Sequence, residues 1–248
     1  MTITMIALLA AAGFFAGAVN AIAGGGTFLV FGAMTLAGIP PIVANATSAI
    51  VQFPGYVTST LAYRDEISSR WRSAIVLVVV SIIGSTGGAL LLLALDNRSF
   101  HLIVPWLLAA ATLIFAAGPW LRPAGSAERP AGSPLSVVSQ FLNSIYGGFF
   151  GAGMGVMMLA VLGLTTGGSY HHLNALKNML AMTIASVAIV VFIGGGVIAW
   201  PETIVMMPAG ALGGYSGVWL ARRVPQVILR WCVIVVGAAL TVYYFAKA

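Results

Sequence analysis

Shifted by 129 residues, the chain lies on itself without a gap. Gly24, Gly26 and Gly38 fall on Gly153, Gly155 and Gly167; Asn45-Ala46 falls on Asn174-Ala175, Trp71 on Trp200, and Gly84 and Gly88 on Gly213 and Gly217. Farther out, Ala109-Ala110 and Thr112 fall on Ala238-Ala239 and Thr241. Apolar residues coincide cheaply in a chain that is 60% hydrophobic, so the Trp, Asn and Gly matches decide the point. A duplicated apolar chain of this length points to the two-repeat plan of membrane transporters.

Only 6% of the residues are charged, against about a quarter in soluble domains, and the mean hydropathy is +1.04. Apolar runs of about 20 residues recur along the chain, each able to cross roughly 30 Å of hydrocarbon. A β-barrel would need shorter segments of alternating polarity, and none is present. The fold class read from this is an all-α polytopic membrane protein, with the lipid bilayer as its partner. The net charge of +6 forms no basic run, which argues against nucleic acid and makes the cations topological signals. The one cysteine, Cys232, falls in the last apolar run and reads as a small core hydrophobe; it excludes intrachain disulfides and cysteine metal sites. The N-terminal stretch lacks a basic leader and maps by the repeat onto residues 130 onward, so it reads as structural rather than as a signal peptide.

Residues 1–121 form a first membrane repeat, 122–133 a polar Pro/Gly/Ser linker on the cytoplasmic side, and 134–248 a second repeat. Each half offers four apolar segments: about 3–38, 42–62, 73–95 and 101–121, then 135–167, 172–198, 201–221 and 226–246. The first of each four is too long for one crossing. It is interrupted by glycine, at Gly24-Gly25-Gly26 and at Gly151-Ala152-Gly153-Met154-Gly155. Irregular backbone at membrane depth must be buried in protein or line a wet cavity.

Charge chooses between crossing and returning. If all eight segments cross from an inside N-terminus, six Lys/Arg fall inside and five outside. If each first segment is a re-entrant or split hairpin, Arg64, Arg70, Arg72, Arg122, Arg129, Lys177, Arg222, Arg223 and Arg230 fall inside, and only Arg98 and Lys247 outside. The hairpin reading leaves three transmembrane helices after it in each half. That odd number inverts the second repeat, although the outer limbs 3–22 and 135–150 are long for half-membrane pieces.

In each hairpin the limb after the break starts near the midplane, at Thr27 or at Val156. Helix N-termini hold unpaired N–H groups and partial positive charge, so two of them meeting there would form an anion site. Asn45, Thr47, Ser48 and Gln52 in one half, and Asn174, Lys177 and Asn178 in the other, are the polar residues nearest it. Lys177 is the one charge inside an expected span, away from a loop. Gly84 and Gly88 read as close-packing positions, His171 and His172 as interfacial, and Trp71 and Trp200 as interface anchors. The five carboxylates, Asp65, Glu66, Asp96, Glu128 and Glu202, lie in loops or at segment ends. No motif offers a nucleophile, metal site, phosphate cradle or cofactor site, so the chain reads as a non-enzyme.

Asn20-Ala-Ile-Ala-Gly-Gly-Gly-Thr27, Ala44-Asn-Ala-Thr-Ser48, Tyr146-Gly-Gly-Phe-Phe-Gly-Ala-Gly-Met-Gly155, Asn174-Ala-Leu-Lys-Asn178 and the stretch from Gly213-Gly-Tyr215 to Ala221-Arg-Arg-Val-Pro225 resemble the TauE/SafE sulfite exporter family across essentially the whole chain. The resemblance implies a carrier of sulfite, sulfonates or other small organic anions. It implicates Gly24, Gly25, Gly26, Thr27, Asn45, Thr47 and Ser48 in one half, and Gly153, Gly155, Asn174, Lys177 and Asn178 in the other. The expectation is a multi-pass inner-membrane protein that exports a small anion by alternating access. An anion channel and a non-transporting membrane scaffold are the alternatives. A homodimer stays open, because its interface would look like any lipid-facing surface.

Overall fold

The computed structural model describes residues 2–23, 25–68, 71–117, 120, 132–167, 170–220 and 226–247. Among them the chain is helical: α1 (Ile3–Ala23), α2 (Gly26–Leu36), α3 (Pro41–Ala62), α4 (Arg64–Ser68), α5 (Trp71–Ala94), α6 (Asn97–Ala117), α7 (Pro134–Phe149), α8 (Met154–Thr165), α9 (Tyr170–Gly194), α10 (Trp200–Leu220) and α11 (Gln226–Lys247). The 129-residue offset of the sequence reappears in the helix starts. Pro41, Trp71 and Asn97 open three helices of the first half, and Tyr170, Trp200 and Gln226 open their counterparts.

Local chemistry sets these boundaries. Pro41 and Pro134 sit in first turns, where a missing N–H costs nothing. The Ser133 hydroxyl accepts from the Ser136 amide at 3.3 Å and caps α7. The Asp96 carboxylate accepts from the Arg98 and Ser99 amides and caps α6. Hydrogen bonds from the Ser99 side chain first, then from these amides, hold that carboxyl below its usual pKa. α2 and α8 stop at Gly38 and Gly167, repeat counterparts that share a left-handed backbone with φ of 81° and 66°.

α2 and α8 have only 11 and 12 residues, about 16 to 18 Å of helix, and cannot cross alone. α2 folds back on α1, so that Gly26 lies against the Ala16 carbonyl. Four other helices carry stretches long and apolar enough to cross: Ile3–Asn20, Ala74–Ala94, Asn97–Ala117 and His172–Gly194. At 21 residues, about 31 Å, α1 has the length of a full crossing, the point at which the expectation of half-membrane outer limbs was strained.

The helices pack reciprocally. α1 lies along α10 and α7 along α5; α3 touches α10 and α9 touches α5; α3 meets α9, and α6 meets α11. The two closest seams run through glycine. A Cβ at Gly17 would overlap the Gly210 carbonyl and one at Gly213 the Phe14 carbonyl, while one at Gly88 would overlap the Ile145 carbonyl. Gly84 and Gly88 thus do the packing expected of them. The outward faces are apolar: Ile228, Trp231, Val235, Val242 and Phe245 form one exposed stripe along α11. A bilayer, not water, is the solvent for such a surface. Cys232 belongs to this outer face and is exposed, which corrects its reading as a core residue. Helix α11 turns its inward face, with Val233 and Tyr244, toward the core instead.

Candidate functional site

The break in the second half is a built turn. After α7, the Tyr146 carbonyl accepts from the amides of Phe150 at 2.8 Å and Gly151 at 3.1 Å. Gly151 and Gly153 both have φ of 72°, a left-handed conformation that glycine adopts without the Cβ clash of other residues. Between them the Ala152 carbonyl accepts the Tyr146 hydroxyl, and Met154 opens α8. Phe149 and Phe150 anchor the turn in an aromatic cluster contributed by the first half. Phe150 meets Phe31 at 5.8 Å and Phe100 at 6.3 Å, and Phe149 meets Phe100 at 5.8 Å.

One face of α3 lies against this turn. Asn45, Ala49, Gln52 and Tyr56 recur at helical spacing and line a small cavity with Thr27 from α2, Gly147, Gly148, Phe150, Gly151 and Met154 from the break, and Ile184, Ala185, Ala188 and Phe192 from α9. The first turns of both short helices reach this cavity, through Thr27 and Met154. Its volume of about 30 Å³ admits a water or two in the conformation seen. Asn45 donates through Nδ2 to the Phe149 carbonyl at 2.9 Å, and Gln52 donates through Nε2 to the Thr27 hydroxyl at 2.7 Å. The other ends of both amides, Asn45 Oδ1 and Gln52 Oε1, are buried and have no hydrogen-bond partner among the described residues. A buried carbonyl oxygen costs roughly 1–3 kcal/mol if nothing donates to it. The cavity is therefore short of hydrogen-bond donors, which water or a ligand can supply.

Of the polar residues singled out in the sequence, Thr27, Asn45 and Gln52 line this cavity. Gly25 and Gly26 stand behind it, Gly25 against Val233 and Gly26 against Ala16. Thr47 is fully buried and accepts from the Ala199 amide at 3.0 Å, tying α3 to the approach to α10; Ser48 donates to the Ala44 carbonyl of its own helix. Gly153 supplies the turn, and Gly155 leaves space beside the aliphatic stem of Lys177, with the Lys177 Cδ 3.8 Å from where a Cβ would stand. Asn174, the repeat counterpart of Asn45, donates instead to the Tyr63 hydroxyl at 3.1 Å. Asn178 is buried on α9. Gly24 lies outside the described residues, as do residues 122–131 of the linker and the side chains of Trp71 and His171.

Two tyrosines escaped the sequence reading. Tyr56 continues the Asn45–Gln52 stripe and hydrogen-bonds the Asn20 side chain; extending the 3.6-residue period past Gln52 would have reached it. Tyr146 braces the glycine turn, and only the folded turn brings its hydroxyl to Ala152. Glu202, expected at a segment end, stands in the first turn of α10 and is buried there.

The family profile for the sulfite exporter TauE/SafE matches residues 9–244, nearly the whole chain. The chain belongs to the TauE/SafE family. Relatives align just as fully. A probable membrane transporter protein of Haemophilus influenzae is 27% identical over 240 residues, covering 96% of this chain and 94% of its own. The probable membrane transporter protein ORF9 of a Sinorhizobium species is 27% identical over 244 residues, covering 98% and 93%. The probable membrane transporter protein YfcA of Escherichia coli K12 is 26% identical over 226 residues, covering 91% and 84%. The TauE/SafE family and these relatives are named for transport and not for catalysis, and this chain is a multi-pass membrane transporter.

Proposed function

We propose that this TauE/SafE protein carries a small sulfur-containing anion (sulfite, a sulfonate or a related organic anion) out of the cell across the inner membrane, using the cavity between α2, α3, the α7–α8 turn and α9. The observation that carries this reading is the meeting of two short-helix first turns at one buried cavity whose amides lack donors. Helix N-termini favour negative charge. Asn45 Oδ1 and Gln52 Oε1 at the same time ask for an O–H or N–H. A monoanion that keeps a proton, a hydroxyl or an amino group meets both demands. A fully ionised dianion meets only the first, and it leaves more charge to desolvate.

In this reading residues 1–121 and 134–248 are inverted repeats, each a split hairpin followed by three crossings. The linker 122–133 faces the cytoplasm, as the nine-against-two distribution of cations supports. Rocking of one repeat against the other opens the cavity alternately to either side. Moving one negative charge out of an inside-negative cell gains about 2.3 kcal/mol per 100 mV, so uniport needs no coupling ion.

The test is flux from proteoliposomes of purified protein, offered sulfite, sulfate, sulfoacetate, taurine and a small carboxylate, with and without an imposed potential. Saturable, counterflow-stimulated and potential-driven flux of one sulfur anion is the expected result. Unsaturable flux would make the protein a channel, and folded protein that moves none of them would make it a scaffold.

A further inference from the structure

Helix α7 carries a second polar feature, apart from the cavity amides. Ser136, Gln140 and Asn143 are 1%, 0% and 3% exposed, and they follow one another along a single face of the helix. The next position on that face is Gly147, which lines the cavity. Ser136 Oγ, Gln140 Oε1 and the side-chain oxygen and nitrogen of Asn143 are buried without a hydrogen-bond partner among the described residues. The other end of Gln140 is bonded: its Nε2 donates to Ser81 Oγ at 2.8 Å and to Ser144 Oγ at 3.1 Å.

Four orphaned polar atoms on one helix face are expensive at membrane depth, where each costs several kcal/mol. Helix packing accounts for one end of Gln140, bonded across the seam to Ser81 of α5, and not for the four orphaned atoms. Glycine and serine do the close packing of α7 on α5, at Gly84, Gly88, Ser85 and Gly148. The eleven steps from Ser136 to Gly147 rise about 16 Å, half of the roughly 30 Å hydrocarbon core. The stripe therefore reaches from the cavity to the end of α7 that joins the linker.

We propose that this face of α7 lines a hydrated half-path between the cavity and the linker-side surface, with Asn143 as the polar station next to the cavity. Water along the path supplies the missing partners, and on the carrier reading above the anion travels the same path. Its repeat counterparts Ala7, Ala11 and Phe14 are apolar, so the path belongs to one half alone.

Cysteine accessibility tests the path without relying on transport. In a Cys232→Ala background, Ser136→Cys, Gln140→Cys and Asn143→Cys are treated in sealed vesicles with a charged methanethiosulfonate applied from the linker side. Thiolate, which forms only where water reaches, attacks the reagent's thiosulfonate sulfur, forms a mixed disulfide and expels methanesulfinate. Gly132→Cys, in the linker, serves as the reactive control, and Val138→Cys, 57% exposed on the outward face of α7, as the lipid-facing one. Reaction at all three stripe positions, with Val138→Cys inert, is expected. Silence at all three while Gly132→Cys reacts would overturn the path and leave the carrier reading untouched. Asn143→Leu, which keeps the branching of the side chain and removes its polarity, should cut flux by about tenfold or more; unchanged flux in that variant would also overturn the role of the path in transport. Reactive thiols in protein that moves none of the anions would keep the hydrated path and sink the carrier reading.

Discussion

The two broken segments occupy equivalent places in the repeat and differ in what they are made of. α1 has 21 residues and is apolar where α7 is polar: Ala11, Phe14 and Phe15 stand at the positions of Gln140, Asn143 and Ser144. α7 has 16 residues, and its turn is set by two left-handed glycines, a bracing tyrosine and two phenylalanines wedged into the other half. In the first half Gly25 caps α2 with an ordinary φ of −107°, and Asn20-Ala21 stands where the second half has Phe149-Phe150. What the halves share is the way helices approach, with α1 on α10 and α7 on α5, both through glycine. A duplicated scaffold can keep its packing positions and let its polar chemistry drift to one copy, because packing constrains both seams alike and a single central cavity needs each polar group only once.

The largest effect should come from breaking what is shared. Gly17→Val and Gly88→Val each push a side chain into the backbone of the facing helix, where nothing flexible can yield. Overpacking of this kind costs about 1–3 kcal/mol, and more against backbone. Both variants are expected to lose the monodisperse peak in size-exclusion chromatography. If one seam tolerates valine and the other does not, the packing is not shared and the comparison fails at its base.

The second effect separates the two repeat-equivalent asparagines. Asn45→Ala removes the amide that ties α3 to the Phe149 carbonyl at the cavity, whereas Asn174→Ala removes a bond to the Tyr63 hydroxyl away from it. Loss of a buried amide partner is worth roughly 1–3 kcal/mol, about five- to 150-fold in an equilibrium constant. Flux should fall by that order for Asn45→Ala and much less for Asn174→Ala. Equal losses would extend the site to Asn174 and make the two asparagines equivalent, as the sequence expectation had them.

The repeat, the two breaks and the close-packing glycines were legible because each leaves a local mark: a coincidence at fixed offset, a glycine cluster in an overlong apolar run, small residues a turn apart. The site was legible by half. Thr27, Asn45 and Gln52 stood out as polar residues in apolar helices, and all three reach the cavity. Thr47 and Ser48 carried the same polarity signal, but their helix turns them elsewhere, to the Ala199 amide and the Ala44 carbonyl. Sequence polarity cannot tell a residue that serves a ligand from one that serves the backbone; only the face of the helix does. The Ser136–Gln140–Asn143 stripe carries both polarity and spacing, yet only the fold shows that this face of α7 is buried and that several of its polar atoms lack partners among the described residues.

A smaller effect tests the turn itself. Gly153→Ala would meet no serious obstacle, since the nearest atom, the Ala111 carbonyl oxygen, lies 3.4 Å from the added Cβ; the cost is the left-handed backbone, about 1–2 kcal/mol. Gly55→Ala on the first-half helix α3 has ordinary backbone and 3.7 Å of clearance, so it should be neutral or slightly stabilising. Thermal midpoints in detergent should fall for Gly153→Ala and hold for Gly55→Ala. Matching falls would mean that side-chain room, not backbone conformation, limits both positions.

The smallest effect lies at a surface carboxylate that one half carries and the sequence of the other replaces with proline. Asp96 caps α6, and the repeat sets Pro225 at the same place before α11. Because the folded carboxyl sits below its usual pKa, its contribution to stability is fully present above the ordinary value of about 3.9 and is lost as pH falls through the lowered one. Asp96→Ala should therefore lower the thermal midpoint slightly at neutral pH, with the gap from the parent protein closing in acid and flux near neutrality unchanged. A gap that stays constant down to the lowest pH the fold survives would assign the cap to the geometry of the loop and not to the charge of the carboxylate. The asymmetry between the halves at this position would then be one of shape alone.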